Sequence, residues 1–569
     1  MSTPRSESQL PNILLAALCA ALLSAAAGCT SGPAGTHGGS GVRNSLSFNI
    51  SEDPHNLNPL LAQSDDERQV AHLMFDLLLD VDSKGRAIPA LATSVPTQGN
   101  GGVSDGGRTI IYHLRRGVRW QDGAPFTARD VRFTWRAIVD PRNNVQSTRG
   151  YDLIASIDTP NPYEAVVHLK SAWPPAVATL FTYGTAPMPI VPAHLLAGRG
   201  ALGQSAFNLD PVGTGPYRFV RWDRGNRIVL RANPHYFRGA PHVATIVVEE
   251  VPDINTSMTM LRTRQLDWTL LSPAQRLALG PSPAFRFIFA PFAGFGAIAF
   301  NCRRPPFDDP HMRRAIAMAI DRDRLSVGIT HGQYPVANSD QPPFSWAYDA
   351  TTRLPAFNAA AADRELDQLG WKRSSDGMRR RNGQTLSISF ATFPEGDTAV
   401  RTAEYVQQML TQRGIDVSVK KVTVAQFYLP QAQHGLLLSG SFDLAYIAWR
   451  SGEDPDDSEI VACGAPANYA GYCSQAADAL EREALNAHSR EQRRAAYAKI
   501  QRLLASDVPY DFLYAPTYGF AVDPALAGFN PTPFSPTWNA YQWRFEQSSP
   551  PKTSVSNELP GFVVALRPQ

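Results

Sequence analysis

The segment Trp449–Asp454 carries the side chains best suited to bind a ligand. Residues 442–449 (FDLAYIAW) have the pattern of a buried strand, and ligands of open α/β sheets lie at the carboxyl ends of strands. Trp449 offers a large apolar ring with an N–H donor, although packing into the core is an alternative role for it. Two carboxylates follow. The segment predicts a binding site in which Glu453 is the first partner of a ligand cation and Asp454 the second.

The chain carries no recognisable catalytic or cofactor motif. It lacks the G-x-S-x-G, H-E-x-x-H, G-x-x-x-x-G-K-[ST], G-x-G-x-x-G and C-x-x-C patterns. Its 12 histidines are scattered without metal-ligand spacing. A catalytic pair of carboxylates like that of glycosidases is an alternative that the sequence leaves open, because the chain has many acidic residues. The sequence favours a binding protein over an enzyme, and we expect no catalytic residue, no cofactor and no metal.

The amino-terminal segment predicts export. The apolar run Ile13–Ala27 is shorter than the ~20 residues that span a bilayer and suits a signal peptide. Cys29 is either incidental, next to an A-x-A cleavage site, or lipidated. Its junction resembles a bacterial lipobox, with Ala26 where Leu is usual. We expect residues 1–28 to be a signal peptide and residues 29–44, rich in Gly and Ser, to be a lipidated flexible tether.

Export also bears on the cysteines, because disulfides persist outside the cytoplasm. Of five cysteines, one leaves with the signal peptide and Cys29 takes the lipid. Cys302 stands in a strand-like run and is expected to be a buried thiol. Cys463 and Cys473 remain, ten residues apart. We expect them to form a disulfide; the alternative is that they are two unrelated small residues.

Length and charge describe a soluble chain of several domains. A chain of 569 residues exceeds one hydrophobic core, which predicts two or three domains. The 53 basic and 51 acidic residues leave a net charge of +2, so we expect no nucleic-acid partner. Helical and strand-like patterns alternate along the chain, which indicates an α/β fold.

Several elements are predicted with defined ends. Thr127 and Asp130 have the spacing of a capping box at the start of a helix. Residues 309–325 have the pattern of one helix, and residues 71–79 that of another. The sequence Gly-Thr-Gly-Pro at 213–216 predicts a tight crossover, since glycine permits a positive φ and close backbone approach.

Five stretches, in order along the chain, resemble one family. The chain is identified as a member of solute-binding protein family 5, the extracytoplasmic receptors of dipeptide-, oligopeptide- and nickel-type ABC importers. The stretches are NLNPLLAQSDDERQVAHLMFDLLLDVDSKGRAIPALATS, YHLRRGVRWQDGAPFTARDVRFTW, GTGPYRFVRW, FNCRRPPFDDPHMRRAIAMAIDRDRL, and FDLAYIAWRSGEDPDD with NYAGYCSQAADALEREA.

The resemblance implies an α/β fold of periplasmic binding protein type II, cluster C-like. Two lobes would be joined by a hinge, and an extra domain would pack on the first lobe. The implied divisions are residues 45–78, 209–293 and 522–545 for lobe I, 79–208 for the extra domain, 294–521 for lobe II, and 546–569 for a peripheral tail.

The resemblance also implies a function. The chain would be a substrate-binding receptor that captures a peptide or similar small solute in the cleft between the lobes. It would deliver this solute to the permease and ATPase complex of an ABC importer. We expect a monomer in the periplasmic space or cell envelope, attached to the membrane through Cys29. Phe295, in a strand expected to cross the hinge, would face the same cleft as Trp449.

One departure from the family leaves the ligand open. Peptide receptors of the family place an acid three residues after this Trp, where the chain has Gly452. Glu453 and Asp454 are the nearest acids. Ligands without a free peptide N-terminus, such as oligosaccharides, opines, metal chelates or modified peptides, therefore stay open. An exported lipid-anchored hydrolase and a chaperone-like lipoprotein are alternatives from other functional classes.

Overall fold

The computed structural model describes residues 43–546 except 185, 395–396, 429–434 and 488. The described residues from Asn44 onward belong to one compact unit. The predicted signal peptide, Cys29, the tether up to residue 42 and the tail from residue 547 lie outside the described residues. No helix within the described ranges has both the length and the hydropathy needed to cross a membrane.

Several helices begin at polar residues that cap them. The backbone N–H of Thr127 donates to Asp130 at 2.8 Å, as the capping-box spacing predicts. The helices are α1 (Asp65–Met74), α2 (Ala128–Val139), α3 (Ala193–Leu196), α4 (Ile254–Arg262), α5 (Pro273–Leu279), α6 (Pro310–Ala319), α7 (Arg322–Thr330), α8 (Ala359–Gln368), α9 (Asp397–Thr411), α10 (Val424–Tyr428), α11 (Leu436–Ser439), α12 (Ser458–Val461), α13 (Gln475–Asn486) and α14 (Arg490–Asp507).

The strands alternate with these helices, which is the arrangement expected of an α/β chain. They are β1 (Ser45–Ile50), β2 (Leu79–Val81), β3 (Ala87–Pro89), β4 (Val103–Ser104), β5 (Thr109–His113), β6 (Ile154–Asn161), β7 (Glu164–Leu169), β8 (Tyr217–Asp223), β9 (Arg227–Ala232), β10 (Thr245–Glu250), β11 (Trp268–Leu270), β12 (Arg286–Pro291), β13 (Gly294–Phe300), β14 (Lys372–Arg373), β15 (Arg379–Arg381), β16 (Gln384–Thr385), β17 (Ser387–Thr392), β18 (Asp416–Lys421), β19 (Leu444–Arg450), β20 (Tyr510–Tyr514), β21 (Thr517–Val522), β22 (Leu526–Ala527) and β23 (Arg544–Phe545).

Three sheets organise the chain. The largest has the order β12-β21-β11-β1-β10-β9-β8, the second has the order β18-β17-β19-β13-β20, and a four-stranded sheet has the order β4-β5-β7-β6. The seven-stranded and four-stranded sheets share one continuous hydrophobic core, whereas the five-stranded sheet has a core of its own. The chain that surrounds the four-stranded sheet, residues 79–208 with β2 and β3, is called here the four-stranded region, and it packs on the seven-stranded sheet through this shared core.

Two adjacent connections carry the chain between the two larger sheets. One joins β12 to β13 through residues 292–293, and the other joins β20 to β21 through residues 515–516. Phe292 N–H donates to the carbonyl of Pro516 at 3.1 Å, so the two connections lie side by side. β21 pairs with β12 from Thr517 to Val522. The chain therefore enters the seven-stranded sheet at Thr517, before the boundary between lobe II and lobe I that the family resemblance implied at residues 521–522.

Two helices differ in extent from the prediction. Residues 309–325 form α6 and α7 rather than one helix, because the Asp321 side chain accepts the Arg324 N–H at 2.9 Å and starts a new helix. The helix predicted over 71–79 ends at Met74, whose carbonyl accepts the Gly215 N–H at 2.8 Å. In both places a hydrogen bond at the end of a helix, rather than the spacing of apolar residues, determines where the helix begins or ends.

The Gly-Thr-Gly-Pro stretch is a point of close backbone approach, as predicted. A Cβ on Gly213 would lie 1.8 Å from the carbonyl oxygen of Met74, and one on Gly215 would lie 2.4 Å from the Met74 carbonyl carbon. Neither glycine has a positive φ, so only the close approach, of the two properties that glycine permits, is used here. Lack of a side chain, rather than conformational freedom, is what this position requires.

Replacing Gly213 by alanine is expected to destabilise the protein by about 1–3 kcal/mol, because the new methyl group overlaps the Met74 backbone. Gly203 is the matched control, since its φ is not positive and a Cβ there would meet nothing within 4 Å. Chemical unfolding of both variants measures the difference. Equal stability of Gly213→Ala and Gly203→Ala would contradict the packing argument.

Cys463 and Cys473 form the predicted disulfide, with the sulfur atoms 2.07 Å apart. The loop that they close carries Tyr469, whose ring centroid lies 6.3 Å from that of Trp449. Cys302 is half-buried, and its desolvation raises the pKa of its thiol to about 11. A thiol with so high a pKa is a poor nucleophile.

Candidate functional site

A cleft lies between the four-stranded region and the segment that follows β19. Its cavity volume is about 80 Å³, below the ~300–1,000 Å³ typical of small-molecule sites, so the two sides of the cleft lie close together in this structure. The four-stranded region contributes the turn between β2 and β3 and the residue Arg149. All four residues predicted to bind the ligand line this cleft: Phe295, Trp449, Glu453 and Asp454.

Phe295 and Trp449 stand opposite each other on neighbouring antiparallel strands of the five-stranded sheet. Phe295 is almost fully buried, at 2 % exposure, and packs edge-to-face on Phe512. Trp449 is half-buried, so part of its ring is available to a ligand. β19 ends at Arg450, which brings the following residues to the carboxyl end of the strand, where the sequence predicted a site.

Glu453 is a buried acid with one oxygen that lacks a hydrogen-bond partner among the described residues. Its backbone N–H donates to the carbonyl of Tyr183 at 3.3 Å, and its carboxyl accepts from the backbone N–H of Ala87. Its Oε2 atom is buried and accepts no hydrogen bond within the described residues. Burial, reinforced by the charge of Asp454, raises the pKa of Glu453 to about 8. A cation bound at Oε2 would supply the missing partner.

Asp454 is already paired within the protein. Its two oxygens accept from the Arg493 guanidinium at 2.6 and 2.7 Å, and both side chains are only 8 % exposed. Burial raises the pKa of Asp454 against the opposing effect of Arg493. Because this bidentate pair occupies the carboxylate, Asp454 fixes the end of the segment and leaves Glu453 as the available acid.

Contacts across the cleft join its two sides. Arg149, from the four-stranded region, donates to Asp456 at 2.7 Å and lies 2.6 Å from a carboxylate oxygen of Glu459. On the same side, Gly85 adopts a positive φ and lies against the Phe344 ring, which a Cβ on Gly85 would approach to 3.1 Å. The two sides of the cleft are thus joined by the ion pairs of Arg149 at one place and by the packing of Gly85 on the Phe344 ring at another.

Several lining residues escaped prediction from sequence. Asp340, Phe344 and Trp346 belong to one loop, and Arg490 lies with its guanidinium 4.7 Å from the centre of the Trp346 ring. The stretch QPPFSWAY at 341–348 is a dense run of proline and aromatic residues between elements, which was an available signal for a binding loop. Arg149 gives no comparable signal, because its partners lie about 300 positions along the chain.

Within the part of the chain that the structure describes, no group of three or more His, Cys, Asp or Glu side chains is arranged to hold a metal ion. The lining instead combines apolar rings with charged side chains of both signs, and among the acids Glu453 has a buried oxygen that accepts no hydrogen bond within the described residues. Such a surface is suited to a small solute that has an apolar body and a positive group.

Comparison with known proteins identifies the family. Residues 86–470 match the family described as bacterial extracellular solute-binding proteins, family 5 Middle. The chain is 32 % identical over 525 residues to Protein XP55 of Streptomyces lividans, covering 90 % of this chain and 91 % of that protein. It is 28 % identical to the probable ABC transporter periplasmic-binding protein SapA of Escherichia coli, over 77 % of this chain and 81 % of that protein.

The fold agrees with this relationship. The solved structure of the oligopeptide-binding protein AppA from Bacillus subtilis superposes with a TM-score of 0.74 at 24 % identity, covering 89 % of this chain and 100 % of that chain. The predicted α/β fold of periplasmic binding protein type II is thus confirmed. On the strength of the matched family and the relative at 32 % identity, this chain belongs to the bacterial extracellular solute-binding proteins of family 5.

Proposed function

We propose that the chain is the substrate-binding receptor of an ABC importer and captures a peptide or similar small solute in the cleft. The observation that carries this proposal is the buried, unpartnered Oε2 of Glu453 in a cleft lined by aromatic rings. A buried carboxylate without a partner is unfavourable, so a ligand ammonium bound there would be stabilised strongly. In this role the chain binds its substrate without transforming it.

The comparisons support a peptide as the ligand. The AppA structure is a complex with a nonapeptide, and SapA is named as part of an ABC transporter. In peptide receptors of the family, an acid at the position that Gly452 occupies here holds the terminal ammonium of the peptide. In this chain Glu453 would take that role. Trp449 would pack against the first side chains of the peptide, while backbone groups of the cleft pair with its main chain.

The sheets suggest how the receptor closes. We take the seven-stranded sheet as the centre of lobe I, the four-stranded region as the extra domain and the five-stranded sheet as the centre of lobe II. The two adjacent connections at residues 292–293 and 515–516 would act as the hinge. Arg149 would latch the closed state through its ionic contacts with Asp456 and Glu459.

Lipid on Cys29 would keep the receptor beside its permease. One acyl chain binds a membrane only marginally, so stable anchoring requires more than one chain. Cys29→Ser is expected to release the protein from the membrane fraction, and cell fractionation followed by immunoblotting measures this. An unchanged distribution would contradict the anchor.

The receptor role is tested with peptides of up to nine residues, the length in the AppA complex. Ligand-free protein is titrated with each peptide in a calorimeter, first with a free amino terminus and then N-acetylated. We expect acetylation to weaken binding at least about tenfold, because it removes the charge that Glu453 pairs with. Equal binding of both forms would contradict the role of Glu453, and no binding of any peptide would contradict a peptide ligand.

Peptide affinity is expected to be highest near pH 8. Below this pH Glu453, whose pKa is about 8, must lose a proton before it can pair with the ammonium. Above it the peptide ammonium itself loses its proton, since its own pKa is about 8. Affinity should therefore be roughly 25-fold higher at pH 8 than at pH 6. Calorimetry at the two pH values measures the ratio, and a flat profile would contradict ionisation of Glu453 on binding.

A further inference from the structure

A second group of acids adjoins the cleft beyond Glu453. Asp340 and Asp457 line the cleft, and the charge of Glu481 on α13 acts on Asp457. The three side chains are 2 %, 7 % and 2 % exposed. Three carboxyl groups so deeply buried side by side are rare without partners, because an isolated buried charge is strongly unfavourable.

Partners for these carboxyl groups are incomplete. Oδ1 of Asp340, Oδ1 of Asp457 and both oxygens of Glu481 accept no hydrogen bond from a donor among the described residues. The Gln341 side chain donates to the other oxygen of Asp340 and to the carbonyl of Pro455. Asp457 stands at the N-cap of α12, yet its side chain makes no capping bond there. The carboxyl group of Asp457 instead hydrogen-bonds to those of Asp340 and Glu481, so the three acids are partners of one another and have no other donor at these oxygens within the part of the chain that the structure describes.

The nearby arginines do not neutralise the group. Arg149 is held by Asp456 and Glu459, and Arg493 is held by Asp454. No lysine or arginine of the described residues forms an ion pair with Asp340, Asp457 or Glu481. The other titratable groups whose charge acts on the three are Asp456, Arg149 and Tyr497.

Buried like charges that act on one another cannot all ionise, so the hydrogen-bonded group shares protons. Burial raises the pKa of Asp340 to about 6 and that of Glu481 to about 8, and burial with the charges of its two neighbours raises the pKa of Asp457. A positive group entering the cleft would replace a shared proton, which leaves to solvent.

We propose that Asp340 and Asp457, backed by Glu481, form a second cation subsite that takes the ammonium or guanidinium group of a basic side chain of the bound solute. This inference rests on the proposed receptor function and narrows its substrate class to solutes with two positive groups. Glu453 and Asp457 are four positions apart on one segment, so one peptide can reach both. The rings of Trp346 and Trp449 line the same cleft and can cover the aliphatic part of a basic side chain.

Two peptide pools test the subsite. They have free amino termini and identical lengths and sequences, except that one carries lysine where the other carries norleucine. Competition for ligand-free protein is read by native mass spectrometry. We expect the wild-type protein to prefer the lysine pool at least about tenfold. Asp340→Asn/Asp457→Asn should reduce the preference to less than about threefold.

Asp376→Asn is the control, because Asp376 is exposed and pairs with Arg380 on a distant turn. It should keep the preference of the wild type. The asparagine variants keep the shape of the buried side chains and remove repulsion, and thermal unfolding verifies that they fold. The effect of N-acetylation should survive in the double variant, since that effect belongs to Glu453.

A second readout reports the displaced proton. Calorimetry of the lysine pool in buffers of different ionisation enthalpy should reveal more protons released than with the norleucine pool, and Asp340→Asn/Asp457→Asn should abolish the difference. Equal binding of the two pools, or a preference unchanged in the double variant, would overturn the second subsite and leave the receptor function standing. Failure of both pools to bind wild-type protein would overturn the two together.

Discussion

Glu453→Gln is expected to weaken binding of a peptide with a free amino terminus by at least about tenfold. Glutamine keeps the shape of the side chain and can still accept the Ala87 N–H, so only the charge at the buried oxygen is lost. Removing one partner of an enclosed charge pair weakens binding by ~2–5 kcal/mol. The same variant should lose the rise in affinity between pH 6 and pH 8.

Calorimetry with free and N-acetylated forms of one peptide measures this effect. Acetylated peptide should bind the variant and the wild-type protein alike. Glu404→Gln is the matched control, because Glu404 is exposed and pairs with Lys421 outside the cleft. An affinity for free peptide that is unchanged in Glu453→Gln would show that the ligand cation is held elsewhere.

Asp454→Asn is expected to act on stability rather than on the ligand cation. The change leaves the Arg493 guanidinium buried without its bidentate carboxylate, and breaking a buried ion pair lowers the free energy of unfolding by about 3–5 kcal/mol. Tyr497, whose hydroxyl lies 3.1 Å from the same guanidinium, cannot replace a charge. Glu453→Gln removes an unpaired acid and should cause no comparable loss.

Urea unfolding of ligand-free protein measures the difference between the two variants. Asp454→Asn combined with Arg493→Met should recover part of the loss, because the double change removes both charges and keeps an apolar side chain against Trp346. A loss below about 1 kcal/mol in the single variant, or no recovery in the double variant, would contradict the structural role of Asp454.

The sequence by itself determined the parts of this protein that depend on neighbouring residues. The capping box of Thr127 and Asp130, the strand that ends beside Trp449 and the disulfide between Cys463 and Cys473 all follow from side chains only a few positions apart. The family resemblance, spread over five ordered stretches, predicted the fold. It also pointed to Glu453 as a candidate ligand partner, because the position where the family usually has an acid is occupied here by Gly452.

Only the tertiary structure decided which charges are already satisfied. Asp454 and Glu453 are adjacent and look equivalent in sequence. Arg493, 39 positions from Asp454, nevertheless forms an ion pair with Asp454 and not with Glu453. The acids Asp340, Asp457 and Glu481 come together only when a loop, a helix start and a helix pack at one wall of the cleft. Hydrophobic periodicity constrains which face of an element is buried, but pairing between distant polar side chains depends on how the elements dock. For that reason the position of the site was predictable, whereas its charge balance was not.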